Sequence, residues 1–174
     1  RQQRLKDVFA GIPGFANITR RFIAGETIEA ALEAVAELNS FGLTASFDHL
    51  GENISSREEA EHEVEQYRHV LAKIQESGAK ANVSVKLTQL GLDFDEAFCL
   101  HNARQIVEAA AQYSNFVRID MEDSQCVDLE IALFRRLKAE FPKNVGLVLQ
   151  AYLHRTFNDI HQMLDLHTDE VPVN

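Results

Sequence analysis

Four short apolar runs, each closing on a polar or charged side chain and each followed by a helix-like stretch, constrain this chain more than any other feature. The runs close at Asp48 in LTASFDHLGE, Lys86 in NVSVKL, Asp120 in NFVRIDM and Gln150 in VGLVLQA, spaced 38, 34 and 30 residues apart. Strand, helix, strand, helix is the order that produces a parallel sheet, because each helical crossover returns the chain to the same end. Parallel strands with polar groups at their C-terminal ends describe an active-site face, whether the sheet closes as a barrel or stays open. The spacing therefore predicts an α/β chain with one βα unit per step and a functional rim.

The intervening stretches carry their own start and stop signals. TIEAALEAVAELNSFG has apolar residues at helical spacing, Thr27 as N-cap and Gly42 as the stop. SSREEAEHEVEQYRHVLAKIQESG has serine in place to cap, a glutamate three residues on, and Gly78 at its end. Further helices are expected from about His101 to Tyr113, Asp128 to Phe141, and Thr156 to Leu166, with the tail HTDEVPVN as loop.

Composition removes several classes of function. A chain of 174 residues, 45% hydrophobic, can bury one sizeable core. The net charge of −10 is spread over helical segments and no basic patch is present, which argues against nucleic acid as a partner. Cys99 and Cys126 are far apart and lack a C-x-x-C or His-rich setting, so neither a disulfide framework nor a zinc site is supported, and a reducing, cytoplasmic setting is expected. No apolar run approaches the ~18 residues of a membrane span. No signal peptide is legible, and the start at Arg1 rather than Met reads as a natural beginning lost. Neither glycine-rich phosphate cradle nor a G-x-S-x-G elbow occurs.

Lys86 is the residue that most needs an explanation, because an ammonium closing an apolar strand requires a partner or an open mouth. It could instead snorkel to solvent just past the strand. Asp120 could cap the next element or pair with Arg118, two residues earlier on the same strand face. Gln150 could be an ordinary amide at a strand edge. Taken together, cationic, anionic and amide groups on one rim suit a small zwitterionic substrate and a polar cofactor edge. His62 and His69 fall on a charge-laced helix and read as solvated. Glu122 and Asp123 read as loop or cap residues, and His154 and Arg155 as secondary candidates on the rim.

The strings RFIAGETIEAAL, SVKLTQLGLDFD, FVRIDMEDS and VGLVLQAYLHRT, in this order, resemble the bacterial single-function proline dehydrogenases. The resemblance implies a distorted (βα)8 TIM barrel behind N-terminal helices, FAD as cofactor, oxidation of L-proline to Δ1-pyrroline-5-carboxylate, and a quinone as electron acceptor. It assigns residues 1–42 to an N-terminal helical segment and 43–174 to the first half of the barrel. Lys86 matches the lysine beside the flavin that holds the proline carboxylate, and Asp120 the active-site aspartate. Met121 matches a flavin contact and Gln150 a glutamine that hydrogen-bonds the flavin ring. Asp48 and Glu52 fall where the family keeps acidic groups near the site. Localisation is expected to be cytoplasmic, at most peripheral to the inner membrane.

A (βα)8 barrel takes about 250 residues, and only four βα units are legible here. The isolated chain is accordingly expected to be catalytically inactive and, with an edge strand and an apolar sheet surface open, to self-associate. Two other classes remain beside this reading. One is a Schiff-base aldolase or lyase using Lys86, which would need a depressed lysine pKa that Asp120 opposes. The other is a non-catalytic fragment that binds a copy of itself.

Overall fold

The computed structural model of the protein describes residues 25, 27–49 and 54–166. Helix α1 (Ile28–Ser40) begins where Thr27, in extended backbone, accepts the Ala30 N–H on its hydroxyl at 3.3 Å. It ends in a pair of reversed bonds, Gly42 N to Asn39 O and Leu43 N to Leu38 O, made possible by Gly42 at φ 79°. This helix is the described part of the 1–42 segment. Glu52 and the tail from residue 167 lie outside the described residues.

Strand β1 (Ala45–Asp48) leads to helix α2 (Arg57–Ser77), whose start is held by Ser56 Oγ accepting from Glu59 N at 3.2 Å. The Glu59 carboxylate turns to the Ser55 N–H and hydroxyl rather than to the Ser56 N–H, so the expected capping box is shifted by one residue. Ala60, Val64, Tyr67, Leu71 and Ile74, spaced by three and four, form its buried stripe. Gly78 stops the helix in the left-handed conformation at φ 68°.

Strand β2 (Ala81–Val85) runs into a 3₁₀ turn, Thr88–Leu90, and then helix α3 (Glu96–Gln112). This helix starts five residues before the expected His101. Asp95 caps it by accepting the Phe98 N–H at 2.7 Å; its first turn places exposed Glu96 and Ala97 ahead of the apolar stripe, so periodicity alone does not show the start. Strand β3 (Val117–Ile119), helix α4 (Val127–Glu140), strand β4 (Val145–Leu147) and helix α5 (Thr156–Met163) complete the series, α5 tightening into a 3₁₀ turn at Leu164–Leu166.

The four strands form one parallel sheet in the order β1-β2-β3-β4. Val83, Val85, Val117, Ile119 and Val145 alternate onto one face and pack with the helices into a core that includes Tyr67, Leu71, Ile106, Phe134 and Leu137. The register pairs Asp48 with Ser84, Ser84 with Arg118 and Arg118 with Gly146. The opposite face is thus set with Ser46, Asp48, Asn82, Ser84 and Arg118, since alternate residues of a strand share a face. The expectation of an open apolar sheet surface is corrected here: the face away from the helices is polar, because every apolar strand position is spent on the helical side. The strands are also shorter than the apolar runs. Asp48 closes β1, Lys86 and Asp120 follow β2 and β3 by one residue, and Gln150 lies three residues beyond β4.

Candidate functional site

Lys86 and Asp120 meet because the parallel register places them side by side. Lys86 lies two residues past Ser84 and Asp120 two past Arg118, its register partner, so both continue the polar face just beyond the last paired residues, Val85 and Ile119. Lys86 Nζ lies 2.7 Å from Asp48 Oδ2 and 3.6 Å from Asp120 Oδ2. The Ser84 hydroxyl donates to Asp120 Oδ1 at 2.6 Å, which aims the other oxygen at the ammonium. Arg118, the partner that simple alternation offers Asp120, makes no ion pair among the described residues. Ser84 is a component that reasoning from the sequence missed; its alternation with Lys86 is the signal that could have found it.

Burial works against the charge on Lys86, but the hydrogen bond and charge of Asp48, with Asp120 behind it, outweigh burial and hold its pKa above the ordinary lysine value. A lysine so held stays protonated, which opposes the imine chemistry of an aldolase. The ammonium has three N–H donors. Two carboxylates and one ammonium leave the cluster with one net negative charge, with Lys86 able to meet a carboxylate and the aspartates able to meet a cation. The lysine side chain is 32% exposed, so a ligand can reach it from the mouth of the sheet.

Gln150 closes the other side of the rim. Its Nε2 donates to the carbonyls of Met121 at 3.0 Å and Glu122 at 3.3 Å. Two carbonyls require the amide nitrogen on that side, which turns Oε1 away, and Oε1 is buried with no partner among the described residues. A buried acceptor without a donor costs free energy unless a ligand supplies one. A flavin ring N–H is such a donor, so the site fits the group. Met121 takes part through its carbonyl, while its side chain, 6% exposed, belongs to the core.

Behind these groups stands a second missed layer. The Glu122 carboxylate accepts from the Thr88 N–H at 3.1 Å and the Thr88 hydroxyl at 2.5 Å. The Glu122 N–H donates to Glu130 Oε1 at 3.0 Å. Glu130 is fully buried, and burial first, then the charges of Glu122 and Asp123, push its carboxyl up to about 7 against the effect of that N–H. The sequence signal was present: Glu130 stands three residues after Val127 and four before Phe134, on the buried stripe of α4.

The remaining candidates fall away from the mouth. Asp123 and His154 are exposed. Arg155 Nε bonds Asp159 at 2.8 Å and its Nη2 meets Asp128 at 2.5 Å, so it fastens α5 to α4. His62 and His69 are exposed on α2, as the charge pattern implied. His49, missed earlier, meets Glu63 through Nδ1 at 2.7 Å and donates its backbone N–H to the Tyr67 hydroxyl at 3.4 Å. Burial raises the pKa of that hydroxyl, keeping it protonated. Among the described residues no helix is long and apolar enough to cross a membrane.

Known proteins resemble this chain in sequence and in fold. The model of the proline dehydrogenase family matches residues 31–171. Proline dehydrogenase 1 of Bacillus subtilis is 40% identical over 165 residues, which cover 95% of this chain and 54% of the relative. Proline dehydrogenase of Deinococcus radiodurans is 38% identical over 154 residues, 86% of this chain and 50% of the relative. The chain thus spans about half the length of the curated relatives it matches. Among solved structures, proline utilization A from Bdellovibrio bacteriovorus, inactivated by N-propargylglycine, superposes with a TM-score of 0.78 at 24% identity, covering 87% of this chain and 19% of that one. The shared fold identifies the four βα units as those of a TIM-barrel-type domain.

Proposed function

This chain belongs to the proline dehydrogenase family, and from that premise we propose that it forms part of an FAD-dependent enzyme that oxidises L-proline to Δ1-pyrroline-5-carboxylate and passes the electrons to a quinone. The observation that carries this reading is Lys86, held protonated between Asp48 and Asp120 at the mouth of four parallel strands. Proline is a zwitterion, and such a cluster offers an ammonium to its carboxylate and carboxylates to its amine. Its ring is small and apolar, so these two polar contacts orient it.

Lys86 would clamp the substrate carboxylate, and Asp120, aimed by Ser84, would balance the local cations. Gln150, pinned by the carbonyls of Met121 and Glu122, would hold the flavin edge through Oε1, with Met121 beside it. When bound, FAD supplies the acceptor for the hydride that leaves C5 of proline. The protein's share is orientation and electrostatics, and holding the reactants in register is the kind of contribution worth several orders of magnitude in rate. A quinone acceptor implies an encounter with a membrane surface, which suits a cytoplasmic, peripheral protein.

The test is product formation. The flavin-loaded protein carrying this sequence is given L-proline and a soluble quinone, and the pyrroline product is identified by mass spectrometry. Formation that depends on flavin and quinone supports the reading. A borohydride-trapped adduct on Lys86 with a carbonyl substrate, and no pyrroline, would replace it with the aldolase reading.

A further inference from the structure

Lys86 and Asp120 stand at a fork. The last backbone bond between β2 and β3 runs from Asp120 N to Val85 O, 2.9 Å. Past it the two segments separate, one into the 3₁₀ turn Thr88–Leu90 and the other into the loop that leads to α4. The strand ladder therefore stops where the spacing of the two charged groups has to be set.

A side chain bridges the fork. Both carboxylate oxygens of Glu122 are taken by Thr88, one by its N–H and one by its hydroxyl. The Glu122 N–H is taken by Glu130, and its carbonyl accepts from Gln150 at 3.3 Å. A solvated or capping glutamate would leave its carboxylate to water, whereas every polar group of this residue is committed to protein, and its partners come from the β2 loop, helix α4 and the segment after β4. The Glu130 carboxyl behind it is sealed in the core, which fixes the clamp to the body of the fold.

We propose that Glu122 is a positioning residue: by clamping the β2 loop to the β3 loop it sets the separation of Lys86 from Asp120. The importance of those two groups rests on the proline-oxidising reading, but the clamp itself can be tested without substrate or cofactor. With the clamp cut, Lys86 keeps Asp48 at 2.7 Å and loses the restraint that holds Asp120 at 3.6 Å. The ammonium then has one close carboxylate instead of two, and a larger fraction of it is the neutral, reactive amine.

The experiment is competitive trace acetylation of the whole protein with acetic anhydride, without flavin or proline, followed by peptide mapping. Exposed Lys80 is the internal reference, and Lys138, 4% exposed, reports loosening of the fold. In Glu122→Ala the Lys86 to Lys80 labelling ratio should rise about 3- to 10-fold, a tenfold change corresponding to one pK unit, while Lys138 stays protected. Glu122→Gln, which keeps an acceptor for the Thr88 N–H, should return the ratio close to that of the unaltered protein. An unchanged ratio in Glu122→Ala with Lys138 protected overturns the proposal. Should Lys138 label in the alanine variant, Glu122→Asp, which keeps the charge but falls one methylene short of both Thr88 bonds, decides by the same ratio: a rise supports the clamp and no change overturns it. A negative result here leaves proline oxidation untouched, and a protein that labels as expected without oxidising proline keeps the clamp and loses the substrate.

Discussion

Replacing Lys86 by methionine separates the site's chemistry from the stability of the fold. Methionine retains most of the aliphatic stem and removes only the ammonium. Its two ion pairs are partly exposed, with Lys86, Asp48 and Asp120 side chains 32%, 36% and 26% accessible. Pairs of that kind contribute about 0–1 kcal/mol, so the unfolding free energy should change by no more than about 1 kcal/mol, or about 2–4 °C in Tm for a domain of this size. The effect on turnover should be much larger. A lost positioning group costs ~10²-fold in kcat/KM, and because Lys86 meets a carboxylate that does not itself react, most of the loss should appear in KM. The assay is steady-state oxidation of L-proline and of its amide, which lacks the carboxylate charge, by the flavin-loaded protein and its Lys86→Met variant. If the lysine clamps the carboxylate, the variant should no longer discriminate between the two substrates, so the losses from mutation and from amidation should overlap rather than multiply. Multiplying losses, or a kcat/KM for proline unchanged in a stably folded variant, would refute the clamp.

Other outcomes follow from the same geometry. Glu130, with its carboxyl raised to about 7 in the fold from an ordinary value of 4.5, binds its proton more tightly folded than unfolded. Its contribution is therefore fully present below pH 4.5 and is lost as pH rises through about 7, up to about 3 kcal/mol in all; urea unfolding midpoints between pH 5 and 8 should fall, and Glu130→Gln should flatten the slope. Gln150→Glu sets a carboxylate oxygen against the carbonyls of Met121 and Glu122, so the dissociation constant for FAD should rise about tenfold or more, the equivalent of about 1.4 kcal/mol, as read by fluorescence titration. Asp95→Ala removes the cap of α3 and should cost about 1 kcal/mol in urea unfolding with no effect on FAD affinity.

How far the sequence revealed the molecule depended on which residues carried the signal. The parallel sheet was legible because its apolar runs and helical stripes differ in period, and Thr27, Ser56, Gly42 and Gly78 bounded the first two helices within a residue or so. The start of α3 was not, because Asp95 sits among exposed residues that continue no stripe. Lys86 and Asp120 could be placed on one rim from strand ends alone, since the register of a parallel pair carries neighbours past the ladder together. The company they keep was harder to see. Ser84 reads as one polar residue in an apolar run, and the bonds of Glu122 to Thr88 and Glu130 join residues 34 and 8 positions apart through irregular backbone. The polar sheet face was also misjudged: valines dominate the eye in NVSVKL, although it is the intervening Asn82, Ser84 and Lys86 that look away from the helices.

The most direct measurement is the visible spectrum, during anaerobic addition of L-proline, of the flavin-loaded protein whose whole barrel includes this chain, repeated with the Asp120→Ala variant. Bleaching of the flavin band by proline, restored by a quinone and slowed at least ~10²-fold in the variant, as a lost positioning group would be, is the expected result. A bound flavin that keeps its oxidised spectrum in the presence of proline would contradict the assignment of this rim to proline oxidation.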